Sequence, residues 1–381
     1  MFKPLRRPLA VALSAALGML VLMPVAYAQQ SQSQSLREAD QRARGKSSGS
    51  DTDTNKQSKG KEADNKAALY PNATRKAPEI KVSPKMSKQL QALQKLYEKD
   101  DWSGVMAKAD EVSAMSDATP YDKAFVYSMA GNAAANADDQ AKASDYFAKA
   151  VAADGLDNDG HFSVMYNLAV TQYGLEKYTE ALATVDKFLS ETHSDKLEHL
   201  AFRAGILAAL ERYEEAAALY QQLVAKNPSD KRLLMNAVAA LQNGNKLDDA
   251  NVLLADAYKR GMLTEARELR ALYIGYMNAQ RWTEAQKVVD DGVAKGILQP
   301  GPDLARDYQI LAQTAYANDN MPLAIEMYKR AAPMAADGEA YLNLAKVLDM
   351  DGKKAEAKAA AKSALDKGIK KPEDAKRILA R

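Results

Sequence analysis

Tyr213-Glu214-Glu215-Ala216-Ala217-Ala218-Leu219-Tyr220-Gln221-Gln222-Leu223-Val224-Ala225-Lys226-Asn227-Pro228 sets the pattern from which the rest of the chain can be read. A bulky residue, Tyr213, stands three before an alanine, Ala216, at the start of a helix. Four further on comes a large apolar residue, Tyr220, and twelve after the alanine a proline, Pro228, marks the stop. The first two marks recur as Trp102/Val105, Gln140/Ala143, Tyr178/Ala181, Tyr213/Ala216, Leu247/Ala250, Trp282/Ala285, Met321/Ala324 and Lys354/Ala357. Their second members are separated by 38, 38, 35, 34, 35, 39 and 33 residues. Eight pairs at such regular spacing mark an internal repeat.

Other positions hold the same phase. Twelve before the anchor the residue is small in Gly131, Ala169, Ala204, Ala312 and Ala345, with Val238 and Tyr273 departing. Four after it stand Phe147, Val185, Tyr220, Leu254, Val289 and Tyr328; seven after it, mostly small residues. Small residues let two antiparallel helices approach, and large ones fill the gap to the next pair. One pair cannot bury its apolar face alone, so pairs must stack. A step near 34 resembles the tetratricopeptide repeat (TPR). The fold expected is all-α: a right-handed superhelical solenoid of about eight helix-turn-helix units over residues 81–381. Gly261, Gly296 and Gly368 fit left-handed C′ positions after helix ends, and a short helix from Pro372 is expected to cap the open end.

The N-terminal fifth reads differently. Lys3, Arg6 and Arg7 precede an apolar run, Leu9 to Met23, and Ala26-Tyr27-Ala28 has the small-x-small form of a signal-peptidase site before Gln29. Residues 1–28 are therefore expected to be a cleaved signal peptide. The run is shorter than the roughly 20 residues of a spanning helix; an uncleaved anchor is the competing reading. Residues 29–80, rich in Gln, Ser, Lys, Asp and Gly, are expected to form a disordered linker, since so few apolar groups cannot offset the entropy of ordering. The expected location is the periplasm.

Composition excludes several chemistries. The chain has 381 residues and no cysteine, so disulfides, zinc-cysteine sites and thiol catalysis are out. Removing Lys3, Arg6 and Arg7 takes the net charge from +2 to −1, with no basic block to attract nucleic acid. Gly45-Lys46-Ser47 lacks the upstream glycine of a phosphate loop, where Asp40 stands. His193 and His199 are six apart, not the four of a helical metal pair. Asp157-Asn158-Asp159-Gly160 fails the calcium-loop register, with Gly155 at the first ligand position and Tyr166 at the last. Neither enzyme activity nor a cofactor is expected.

A surface remains. Eighteen before the anchors fall Arg232, Arg267 and Arg306; fourteen before, Asn167, Asn236 and Asn343. With Arg270, Gln309, Gln313, Tyr166, Tyr173 and Tyr316 they are expected on the concave face, as an arginine-bearing trough for a protein partner. No nucleic acid, small-molecule substrate or direct membrane contact is expected. Tyr213 to Pro228, Ala257-Tyr258-Lys259-Arg260-Gly261-Met262-Leu263, its echo Gly292 to Leu298, and Gly368 to Ala375 resemble the periplasmic TPR proteins encoded beside TonB–ExbB–ExbD genes. That resemblance implies an accessory role in TonB-dependent outer-membrane transport, through contact with components of that system. A TPR scaffold in cell-envelope assembly or polysaccharide export is the alternative.

Overall fold

The computed structural model describes residues 67–80 and 84–381. The expected signal peptide, and the expected linker as far as residue 66, lie outside the described residues. Among the described residues there are seventeen α-helices and no strand. Sixteen of them follow one another in sequence as eight helix-turn-helix units. These are α1 (Pro84–Tyr97) with α2 (Trp102–Ser113), α3 (Pro120–Asn136) with α4 (Gln140–Ala153), and α5 (Asn158–Gly174) with α6 (Tyr178–Thr192). Next come α7 (Leu197–Ala209) with α8 (Tyr213–Lys226), α9 (Lys231–Asn243) with α10 (Leu247–Lys259), and α11 (Ala266–Asn278) with α12 (Trp282–Ala294). The last pairs are α13 (Pro302–Ala317) with α14 (Met321–Met334) and α15 (Glu339–Met350) with α16 (Lys354–Lys367), followed by α17 (Pro372–Leu379). The fold is an all-α solenoid of helix pairs.

The repeat register holds to the residue. All eight leading members of the pairs, from Trp102 to Lys354, are the first residue of a second helix. All eight anchors, from Val105 to Ala357, are sealed from solvent. An alanine there brings helix axes to the near end of the roughly 8–10 Å range. The phase-matched Ala169, Ala204, Ala312 and Ala345 are buried too, as are Val238 and Tyr273, where the small residue is replaced. At Gly131 even a methyl is too much: a Cβ would sit 2.5 Å from the Phe147 ring.

The turn inside each pair is also uniform. Asp100, Asp138, Glu176, Glu211, Asn245, Gln280, Asp319 and Gly352 all have positive φ, each two residues before its second helix. The following N–H reaches back five residues to a carbonyl, as from Asp139 to Ala134, Arg212 to Leu207 and Lys353 to Leu348, all at 2.9 Å. This is the Schellman closure, which satisfies carbonyls a helix end leaves open. Glycine is the usual residue there, but seven of the eight are acids or amides. Between pairs, Gly261 and Gly296 follow their helix caps with φ of 71° and 67°, as expected, whereas Gly368 is itself the cap, with φ 89° and ψ 123°, outside the left-handed helical conformation.

The chain divides into two compact units, one ending at Ala240 and one running from Leu241 to Arg381. The N-terminal unit holds a feature that the linker reading does not contain. Residues 67–80 form no helix or strand, yet they lie across the ends of α4, α5 and α6. Tyr70 is buried against Phe162, Phe188 and His199, with ring centroids 5.6, 5.5 and 6.3 Å away. The Arg75 guanidinium donates to the Asp154 carboxylate at 2.7 Å, the Asn158 side-chain oxygen at 2.9 Å and the Leu156 carbonyl at 3.1 Å. One ring and one guanidinium thus hold a strap in a segment whose average composition is that of a spacer.

Candidate protein-interaction surface

In the C-terminal unit, the first helix α13 presents one side to its neighbours and leaves another open, whereas α3 and α5 are buried nearly all round. On α13, Arg306, Gln309, Gln313 and Tyr316 follow at steps of three, four and three, so they share one face. Arg306, Gln313 and Tyr316 are exposed and Gln309 is half-buried, while Leu304, Ala305, Tyr308, Leu311, Ala312 and Ala315 seal the opposite side. The Tyr316 hydroxyl lies 3.4 Å from the Met350 sulfur of α15, and Met350 is itself exposed. Asn343, seven residues before Met350, sits half-buried on the same side of α15. These residues compose a polar strip with an aromatic and a thioether at one end.

The recurrent arginines are at the surface, but each already has an acid beside it from its own helix start. Arg232 meets Asp230 at 3.4 Å, Arg267 meets Glu265 at 2.8 Å and Arg306 meets Asp303 at 3.6 Å. Their side chains remain 74, 56 and 73% exposed, so these pairs are weak and exchangeable. The local acids also answer the objection that an arginine opposes the positive end of a helix. Arg267 and Arg306 share the C-terminal unit, and Arg232 belongs to the other.

Three other predicted positions are elsewhere. Arg270 is turned inward: its Nε lies 2.9 and 3.0 Å from the two carboxylate oxygens of Asp307, and Tyr273 donates to the same carboxylate at 2.8 Å. Asp307 is buried, so this arginine locks α11 to α13 rather than facing a ligand. Its place three residues beyond Arg267 puts it on the flank next to α13. Tyr166 and Asn167, expected in the trough, are buried at 8 and 7% exposure. Tyr166 packs on Phe188, His199 and Phe202, and the burial pushes its hydroxyl pKa up. Neither the Tyr166 hydroxyl nor the Asn167 Nδ2 has a hydrogen-bond partner among the described residues. Tyr173 is half-buried against Tyr178 and Phe202, and Asn236 is half-buried beside the Tyr220 hydroxyl.

Counting back from anchors thus finds the exposed strip on α13 and misses the strap seam. In the sequence, His199 and Asn158 fail the metal-ligand spacings, and Phe162, Phe188 and Asp154 carry no mark of a binding site. The one signal was Leu69-Tyr70-Pro71, an aromatic flanked by apolar residues inside a polar segment. Among the described residues no three His, Asp or Glu side chains gather as a metal site needs, and no helix is long and apolar enough to cross a membrane.

The sequence matches no protein-family model and no curated protein. Solved structures with a similar trace include a tetratricopeptide repeat protein from Parabacteroides merdae, at 17% identity and a TM-score of 0.40, covering 68% of this chain and 97% of that one. The C-terminal part of a TPR repeat-containing protein from Cytophaga hutchinsonii gives 19% and 0.45, covering 64% and 97%. MamA from Desulfovibrio magneticus gives 15% and 0.31, covering 56% and 95%. The chain is similar to these in trace alone. Its repeat architecture rests on its own helix register.

Proposed function

We propose that the chain is a non-enzymatic, exported TPR scaffold that binds a protein partner along the open sides of its first helices. The observation that carries this reading is the strip Arg306, Gln309, Gln313 and Tyr316: polar and aromatic groups left open on a helix whose other side is sealed. Such groups suit peptide backbone and carboxylates, because guanidinium forks and amides pair with both. The resemblance of Tyr213–Pro228 and the Gly261 and Gly296 turns to TonB-associated periplasmic TPR proteins supports a partner in the TonB–ExbB–ExbD system. In this reading residues 1–28 are removed and the scaffold works in the periplasm.

The test is direct titration of the full chain with purified periplasmic segments of TonB and ExbD. Binding to one of them is expected. It should weaken at least threefold in the Arg232, Arg267, Arg306→Ala triple variant, and also with added salt. Absence of binding to both segments would remove the TonB assignment. Unchanged affinity in the triple variant would remove the arginines from the site. Mass spectrometry of the osmotic-shock fraction is expected to find Gln29 as the N-terminal residue; Met1 retained in a membrane fraction would overturn the export reading.

A further inference from the structure

The strap seam is chemically distinct from the α13 strip. Its slot is formed by Phe162 of α5, Phe188 of α6 and His199 of α7, so it spans the join between two consecutive pairs. Five residues beyond the ring, the clamp on Arg75 is built from the α4–α5 loop and the first residue of α5: the Asp154 carboxylate and carbonyl, the Leu156 carbonyl and the Asn158 side chain. Asn158 returns a bond to the Arg75 carbonyl at 3.0 Å, and Thr74 gives its N–H to the Glu191 carbonyl at 2.8 Å. Backbone contacts therefore hold in register a segment that turns through Pro71 and Asn72, its Ala73 N–H donating to the Tyr70 carbonyl at 3.2 Å, while two side chains are read in two pockets. That division of labour is how folded domains recognise peptides.

The way the segment sits is that of a ligand rather than a core element. Only Tyr70 is buried; the Arg75 side chain follows at 10% exposure, and Ala73 and Pro78 are half-buried. Pro71, Asn72, Thr74, Lys76, Ala77, Glu79 and Ile80 are exposed. Beneath it, Tyr166 shares Phe188 and His199 with Tyr70, and its hydroxyl has no partner. We propose that the α5–α7 seam with the α4–α5 loop is a recognition site for a partner segment carrying an aromatic residue and, after a turn, an arginine five residues on. The chain's own Tyr70–Arg75 closes that site in cis. A partner displacing the strap needs the same two side chains, and gains if it also offers the Tyr166 hydroxyl an acceptor. This site is independent of the partner surface proposed above.

The experiment uses the full chain and a fluorescent peptide of residues 67–80. Tyr70→Ala/Arg75→Ala in the chain should empty the slot, so the peptide should bind this variant at least tenfold more tightly than wild type. Replacing either the tyrosine or the arginine of the peptide by alanine, or adding Asp154→Ala to the chain, should cost at least tenfold. Equal binding to variant and wild type, or binding that ignores the peptide's tyrosine and arginine, overturns the proposal. So does loss of helical circular dichroism in the double variant, which would make the strap part of the fold. Hydrogen exchange on the wild type gives a second reading: the Thr74 amide should exchange at least a hundredfold faster than that of Val185 in α6. Equal protection would show that the strap opens only when the unit unfolds, and the site would not exist.

Discussion

In the N-terminal unit α5, α6 and α7 meet through rings: Phe162, Tyr166, Phe188, His199 and Phe202, with Tyr70 added from the strap. Ion pairs join helices in both units, as Arg203 of α7 does to Asp186 of α6, but the C-terminal unit has no such ring cluster among its described residues and relies on charged joins. Arg270 fastens α11 to Asp307 of α13, Arg330 of α14 reaches Asp290 of α12, Lys329 reaches Glu356 of α16, and Tyr258 of α10 donates to Asp291 of α12. No phenylalanine follows Phe202 and no histidine follows His199. The repeat period is shared, so the difference lies in what fills it. Ring contacts are undemanding in direction and admit an added ring, whereas a bidentate ion pair fixes one geometry and one partner. That is why the strap has a place in one unit and no counterpart among the described residues of the other.

The largest test of this contrast is Phe188→Ala. The ring is fully buried among four aromatic neighbours, so its loss should cost about 3–5 kcal/mol. Trp102 and Trp282 lie one in each unit, so single-tryptophan variants can follow denaturant unfolding of each. The shift is expected at Trp102. An equal shift at Trp282 would show the two units unfolding as one.

Acid should separate the units next. Burial drives the pKa of both His161 and His199 down from 6.5 to about 4; nearby Arg75 and Lys187 add to this at His161 and Lys196 at His199, while Asp154 and Glu198 oppose it. The unfolded chain then binds protons that the folded unit refuses. Stability is complete above pH 6.5 and is lost as pH falls from there to about 4, on the order of 3 kcal/mol per histidine at about 1.4 kcal/mol per pKa unit. The Trp102 transition should carry this loss. A flat Trp102 profile across that window would mean the imidazoles are hydrated.

Arg270→Ala comes third and addresses the other unit. It leaves the Asp307 carboxylate buried with only the Tyr273 hydroxyl, at an expected cost of about 2–3 kcal/mol at Trp282. Recovery of about half of this by Asp307→Asn would identify the unpaired charge as the cause. The smallest effect concerns the shared turns. Glu211→Gly relieves a left-handed acid and should gain about 0.5–1 kcal/mol, while Gly352→Glu should lose a similar amount. Thermal unfolding that moved the other way in either case would break the Schellman reading.

The starts of the second helices are legible in sequence because one requirement, a residue small enough for close helix approach, falls at a fixed place in every pair. The turns before them are not. A left-handed Glu176 or Gln280 carries no glycine signal, and its conformation is imposed by the two helices it joins. Arg270, Tyr166 and Asn167 were misplaced for a related reason. Repeat position says which helix face a residue is near, but a neighbour such as Asp307 or Phe188 decides whether the side chain turns in. The strap was hidden by averaging. A composition window over residues 29–80 weighs Tyr70 and Arg75 against fifty neighbours, most of them polar, whereas the folded seam weighs them one at a time.

The strap also inverts an order in time. Nearly all other contacts in a helix-pair array join residues close in sequence, and such arrays can close as they are made. Tyr70 is different, since its slot is complete only when His199 exists, 129 residues later. At roughly 5–20 residues per second of synthesis, that is a wait of roughly 6–26 seconds. The first repeats must therefore assemble without the segment that later crosses them, and the earliest described stretch of the chain is among the last in its unit to find its place.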